Sequence, residues 1–293
     1  MKIGSGKQLN NFARHICGVK LTMIGNYDIP SARGLGVNEV LIPRIRVIAR
    51  LDVKGENVVK GVQFEGLRIV GTPHDLAQKY YEEGADEIIF VEIVASLYGR
   101  NVILSVVKQA ASDTFVPMTV VGGMRSVEDV RQALRSGADK VGINTKAIAD
   151  PQFIRHAAET FGSQCITLSV EAKCIVPGKW EAYTDNGRER TGRDALEWVE
   201  EGIALGAGEV LLTSVDREGT KKGYDVQLVK SVYNLVDVPV IASGGAGEIE
   251  HLLALAAPAR VDGLAVASIL HTNTVDLVTI KQGLLEGGAI IRP

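Results

Sequence analysis

Residues 116–130, "VPMTVVGGMRSVEDV", are echoed by residues 238–252, "VPVIASGGAGEIEHL". Each stretch places a short run of β-forming residues behind a proline, closes the run with Gly-Gly, and passes into a helix-like pattern. A second echo links residues 82–94, "EEGADEIIFVEIV", with residues 204–216, "ALGAGEVLLTSVD". Gly84 and Gly206, Glu87 and Glu209, Pro117 and Pro239, Gly122 and Gly244, and Gly123 and Gly245 all stand 122 residues apart. A constant offset carried through separate strand-helix units implies an internal repeat.

Working outward from these segments, eight β-rich runs follow residue 45: "VIARLDV", "EIIFVEIVAS", "MTVVGG", "KVGINT", "CITLSVEAK", "EVLLTSVD", "PVIASGG" and "GLAVAS". Helical patterns such as "SVEDVRQALRSG" and "DALEWVEEGIALG" separate them. Alternation of this kind makes a parallel α/β protein, and eight is the number of strands that closes a (βα)8 TIM barrel. The repeat divides that barrel, residues 44–293, into two half-barrels of four units about a pseudo-twofold axis. Residues 1–43 fall outside the repeat. Their "IGSGKQ" looks like the end of a phosphate-binding P-loop but lacks the full spacing and a preceding strand, so the segment is read as an N-terminal extension with no assigned function.

Composition narrows the function. With 32 basic against 35 acidic residues and a formal charge of −3, the chain has no basic footprint for nucleic acid, and small anionic ligands fit better. Cys17, Cys165 and Cys174 form no CxxC pair, and the five histidines have no metal-ligand spacing, so neither a disulfide framework nor a metal site is expected. No apolar run reaches membrane-spanning length, and the start lacks a signal-peptide pattern, which leads to the expectation of a cytoplasmic protein.

Chemistry in such a barrel sits at the C-terminal ends of the strands. The first strand, in "RIRVIARLDVKGENVVKG" (residues 44–61), ends in Asp52, and Glu171 holds the equivalent place on the fifth. Two carboxylates on opposite sides of one mouth suit general acid and general base work. The competing reading pairs each with a lysine two positions on, Lys54 or Lys173. The third and seventh strands end in Gly122-Gly123 and Ser243-Gly244-Gly245, and the fourth and eighth lead to Asn144-Thr145 and Ser268. Backbone N–H groups and hydroxyls there form two phosphate cups on opposite sides, which suits a ligand with a phosphate at each end.

At the other mouth, Arg46, Glu87, Lys140 and Glu209 open the first, second, fourth and sixth strands. They form a ring of alternating sign, read either as a salt-bridged plug or as a gate through which something small enters from a partner docked below. The segment "GKWEAYTDNGRERTG" (residues 178–192), with Trp180 and Tyr183, reads as a flexible lid after the fifth strand or as a hairpin.

Together these residues resemble the cyclase subunit of imidazole glycerol phosphate synthase, over about residues 44–293. "LDVK", "VVKG", "GADKVGINT", "FGSQ", "GAGEVLLTSVDREGT", "GYD" and "VIASGGAG" stand in family-like order and spacing. The resemblance implies that Asp52 and Glu171 are catalytic and that Lys60 lies near the substrate. It also implies phosphate contacts at Gly123, Asn144, Thr145, Gly245 and Ser268, with Ser243 and Gly244 beside them. Arg46, Glu87, Lys140 and Glu209 correspond to the entrance of an ammonia channel, and Asp139 to a residue facing a glutaminase subunit. The implied reaction uses ammonia to convert a bisphosphorylated ribulosyl aminoimidazole carboxamide into imidazole glycerol phosphate and aminoimidazole carboxamide ribotide. Four positions depart from the family: Glu171 and Glu218 replace aspartates, Arg50 replaces a small residue, and Val121 replaces a glycine. Because these departures cluster at the catalytic mouth while the gate residues match, a second expectation is a paralogue serving as an ammonia conduit for a partner that amidates a surface-polysaccharide sugar.

Overall fold

The computed structural model describes residues 44–93, 101–256, 261–272 and 275–292. The expected extension, residues 1–43, lies outside the described residues. In chain order the elements begin with β1 (Arg46–Lys54), β2 (Asn57–Val62), β3 (Glu65–Gly71), α1 (Pro73–Glu82), β4 (Glu87–Glu92), α2 (Asn101–Asp113) and β5 (Met118–Val121). Next come α3 (Val127–Arg135), β6 (Lys140–Ile143), α4 (Thr145–Ala149), α5 (Gln152–Phe161), β7 (Ile166–Val176), β8 (Lys179–Thr184) and β9 (Glu189–Asp194). The second half continues with α6 (Ala195–Ala204), β10 (Glu209–Ser214), α7 (Val226–Leu235), β11 (Val240–Ser243), α8 (Ile249–Ala256), β12 (Gly263–Val266), α9 (Ser268–His271) and α10 (Leu277–Glu286).

Eight strands, β1, β4, β5, β6, β7, β10, β11 and β12, pair in parallel, and the ladder closes where β12 meets β1. This is the (βα)8 barrel that the repeat predicts. Five helices start at a side-chain cap: Thr72, Ser126, Asp194, Asp225 and Asp276 each accept a bond from a first-turn N–H.

The period-2 alternation of β1 sorts its residues between two cores. Val47, Ala49, Leu51 and Val53 face the helical layer, whereas Ile48 faces the lumen with Ile89, Val121, Leu211, Ile241 and Ala265. By the same alternation Arg46, Arg50 and Asp52 point into the lumen, Arg46 below Ile48 and the other two above it.

A recurring clamp explains the aspartates that precede barrel strands. Asp86 accepts from the Val47 N–H at 2.7 Å, Asp139 from Met118 N–H at 2.8 Å, and Asp262 from Val240 N–H at 2.8 Å. Each carboxylate thereby satisfies a backbone donor at the start of a neighbouring strand.

Two excursions leave the barrel at its C-terminal face. β2 and β3 form an antiparallel hairpin on the end of β1, and β8 and β9 extend β7 antiparallel. The segment around Trp180 is therefore a hairpin whose first arm is buried, with Trp180 and Tyr183 both under 10% exposed. Cys165 closes the short turn before β7 instead of opening the strand. Among the described residues, no helix is long and apolar enough to cross a membrane.

The Asp262 clamp is buried, so Asp262→Ala leaves the Val240 N–H without an acceptor. We expect a loss of about 1–3 kcal/mol in urea denaturation, most of it recovered by Asp262→Asn.

Candidate active site

Asp52 comes to the C-terminal mouth at the end of β1, where it is 3% exposed. Its partners are neither Lys54 nor another distant surface charge. Arg50 Nε donates to Asp52 Oδ1 at 2.9 Å, and Lys60, reaching back from β2, donates to Oδ2 at 2.7 Å. Lys60 also forms an ion pair with Glu218, in the loop after β10, and Arg50 Nη1 lies 3.8 Å from the same carboxylate. That loop is held against the hairpin by the Gln63 N–H, which donates to the Glu218 carbonyl at 2.8 Å.

Arg50 points inward and spans the lumen. Its Nη1 donates to Thr213 Oγ1 on β10 at 3.0 Å and to Ser243 Oγ on β11 at 2.8 Å. The guanidinium also lies over the Phe64 ring, 5.7 Å from its centroid. Two cations thus face two carboxylates in a buried, balanced cluster. Burial alone would raise the Asp52 carboxyl, but Arg50 and Lys60 outweigh it and hold the group well below the ordinary carboxylate range.

Glu171, on β7 opposite Thr213, has a different environment. Its carboxylate accepts from the Gly187 N–H at 2.8 Å, in the turn between β8 and β9. No bond to Lys173 is formed; that side chain lies over the Tyr183 ring. Burial pushes the Glu171 carboxyl up to about 7, although Gly187, Arg50 and Asn144 favour its charged form. The same turn is tied across the mouth by Asn186, whose Nδ2 donates to the Ile93 carbonyl at 2.7 Å just past β4.

The residues read as phosphate cups lie at the C-terminal ends of their strands. Gly122, Gly123, Asn144 and Thr145 follow the adjacent strands β5 and β6, and Ser243, Gly244, Gly245 and Ser268 follow or end β11 and β12 across the barrel. All four cup glycines have positive φ, between 73° and 109°. A Cβ at Gly122 would lie 2.7 Å from the Glu92 carbonyl oxygen, and one at Gly245 would overlap the Gly223 carbonyl. Glycine is required there by both conformation and space. Of the polar side chains in the cups, the Ser243 hydroxyl already accepts from Arg50, and Asn144 Nδ2 donates to the Tyr183 carbonyl at 3.3 Å.

At the opposite mouth the four ring residues meet. Arg46 contacts Glu87 at 2.7 Å and Glu209 at 2.8 Å, and Lys140 contacts each of the same carboxylates at 2.7 Å. Thr119 and Thr167 hydroxyls donate to Glu87 and Glu209 at 2.6 Å and 3.2 Å. Burial would raise Glu209, but Arg46 and Lys140 outweigh it and lower the group. Asp139, adjacent to Lys140, is exposed at this end with one oxygen committed to its strand clamp.

Sequence reading left Arg50, Glu92 and Glu218 without a role at the mouth. Arg50 carried an available signal, since it shares the parity of Arg46 and Asp52 on one strand. Glu92 ends β4, is 8% exposed, and lines a shallow pocket with Ile103, Gly122, Gly123 and Met124. Burial raises its carboxyl against the opposing pull of Arg125.

Residues 46–276 match the family model described as "Histidine biosynthesis protein". The chain belongs to this family. An imidazole glycerol phosphate synthase subunit HisF from Legionella pneumophila is 57% identical over 206 residues, covering 70% of this chain and 97% of the relative. Proteins of the same description from Streptococcus sanguinis and Streptococcus mutans are each 44% identical over 247 residues, covering 84% of this chain and 98% of each relative.

Two measurements check the site electrostatics. A folded-state value of about 7 against an ordinary 4.5 means that Glu171 favours folding fully below about pH 4.5, with the contribution lost as pH rises through about 7. Glu171→Gln removes this dependence, so its stability relative to wild type should rise by about 3 kcal/mol across that window. At the lower ring, Arg46→Met leaves two glutamates sharing Lys140. It should cost about 3–5 kcal/mol in denaturant unfolding.

Proposed function

We propose that this protein is the cyclase subunit of an imidazole glycerol phosphate synthase, acting in histidine biosynthesis. The observation that carries the reading is the C-terminal mouth: two glycine cups on opposite sides of one barrel flank the acids Asp52 and Glu171. A ligand with a phosphate at each end would be held across the mouth, with its central atoms over the two carboxyls. Family membership and the match to nearly the whole length of each relative support the same conclusion.

In this reading the substrate is a bisphosphorylated ribulosyl aminoimidazole carboxamide. Ammonia attacks it, cleavage releases aminoimidazole carboxamide ribotide, and ring closure gives imidazole glycerol phosphate. Gly122, Gly123, Asn144 and Thr145 bind one phosphate, and Ser243, Gly244, Gly245 and Ser268 bind the other. Lys60 and the two acids stand at the reacting centre. A glutaminase subunit docks at the ring of Arg46, Glu87, Lys140 and Glu209, beside Asp139, and supplies ammonia through it. The complex works in the cytoplasm without a metal or redox cofactor.

One observation favours a second reading. Both oxygens of the Asp52 carboxylate are engaged by Arg50 and Lys60, and Glu171 is capped by Gly187, so both acids have partners before any ligand arrives. A barrel of this kind would serve as an ammonia conduit for a partner that amidates a sugar of a surface polysaccharide.

Assay of the purified protein with the bisphosphorylated substrate and an ammonium salt at high pH separates the two. Turnover that falls by at least about 100-fold in Asp52→Asn and in Glu171→Gln is expected for the cyclase. Absence of turnover, unrelieved by Glu171→Asp, would establish the conduit reading in its place.

A further inference from the structure

Arg50 is the least expected group at the mouth. It is 3% exposed, arises two residues before Asp52 on the same strand, and uses Nε and Nη1 to bridge three strands of the closed barrel. Such a span requires the planar fork of a guanidinium, because a single ammonium cannot reach Asp52, Thr213 and Ser243 together. Nε engages only one carboxylate oxygen, Oδ1, and Lys60 engages the other, so the Asp52 carboxylate is held at both oxygens and cannot rotate without breaking a charged bond.

We propose that Arg50 is a positioning residue of this site: by bridging β1, β10 and β11 it fixes Asp52 as a permanent, oriented anion and leaves proton transfer at the mouth to Glu171. The inference rests on the cyclase reading for its chemistry, though the charge states it assigns do not depend on turnover.

The charged groups around each acid support this division. Asp52 faces Arg50 from β1 and Lys60 from β2, with Glu218 from the loop after β10 on the far side of both cations and His271 from α9 close enough to feel them. Burial lowers His271 to about 4, and Lys60 adds to the same effect, so the imidazole brings no charge to the cluster at neutral pH. Glu171 faces the Gly187 N–H from the β8–β9 turn and Asn144 after β6, with Arg50 and Asp185 acting at longer range with opposite signs. Among the described residues its carboxyl has no salt-bridging cation, and burial places its titration near neutrality. A group that titrates near the working pH is the better proton carrier.

In the reaction, ammonia adds to the ribulosyl carbonyl carbon and the carbonyl oxygen leaves as water. At ring closure the ammonia-derived nitrogen bonds to the carbon that carries the departing ribotide nitrogen, that C–N bond breaks, and the Glu171 O–H bond breaks as its proton passes to the departing nitrogen. The resulting carboxylate takes a proton from the ammonia-derived nitrogen, which restores the acid over the cycle. Asp52 keeps its charge throughout and orients the incoming ammonia.

Carbon NMR of protein labelled at its aspartate and glutamate carboxyls tests the assignment directly, with Asp52→Asn and Glu171→Gln identifying the two signals. In the unaltered protein Glu171 should titrate near neutrality, while Asp52 should show no titration from about pH 4 to about pH 9. Arg50→Met should raise the proton affinity of Asp52 roughly 10- to 1,000-fold. It should also lower kcat about 100-fold with little change in KM. Arg50→Lys keeps the charge without the span, and should keep Asp52 ionised while restoring only part of kcat. An Asp52 signal that titrates within the window in the unaltered protein overturns the proposal, even where Arg50→Met fails to fold. Wild-type kcat together with an unmoved Asp52 titration in a folded Arg50→Met protein overturns it as well. Failure of the unaltered protein to turn over substrate would instead remove the cyclase reading and leave the NMR titration to decide the charge states.

Discussion

A charge carried into the lumen of a closed barrel needs an opposite charge within hydrogen-bond distance, because little water is available there to solvate it. β1 carries three such charges, Arg46, Arg50 and Asp52, separated by the apolar layer around Ile48. Much of the chemistry of the barrel follows from how they are matched. Below that layer Arg46 draws in Glu87 and Glu209 and, through them, Lys140. Above it Arg50 and Asp52 draw in Lys60 and Glu218, which come from a hairpin and a loop and would otherwise have no reason to meet.

The two charge clusters differ in kind. The lower one is a ring closed on itself, with each carboxylate shared between two cations and further bonded by a threonine. The upper one leaves Glu171 outside its balance, where burial dominates over charge pairing. Neutral and ionised carboxyls therefore coexist at one mouth, set apart by their surroundings and not by residue type.

Much of this was legible in the sequence because it depends on fixed periods. The offset of 122 residues predicts the paired half-barrels, the Gly-Gly pairs and the matching glutamates Glu87 and Glu209. Strand-initial position is enough to bring the four ring residues to one end. What escaped was determined by segments whose paths follow no period. Lys60 reaches Asp52 only because β2 folds back on β1, and Gly187 meets Glu171 only because the β8–β9 turn, with positive φ at Asp185, Asn186 and Gly187, leans over the mouth. The simple pairing of acids with Lys54 and Lys173 failed for a related reason: on a strand, a residue two positions on shares the face but sits higher, past the rim, where Lys54 is exposed to solvent. Trp180 and Tyr183, amid polar and glycine neighbours, gave little sign of the burial that the β8 arm imposes.

The ring at the lower mouth also bears on how the duplicated halves now relate. Arg46, Glu87 and Lys140 come from the first half, and Glu209 alone comes from the second. Two copies of the first half would bring four cations to two glutamates, and two copies of the second would bring two glutamates with no ring cation to meet them. The halves share a backbone plan, yet neither half, doubled, would rebuild this ring: its charge balance needs one contribution from each.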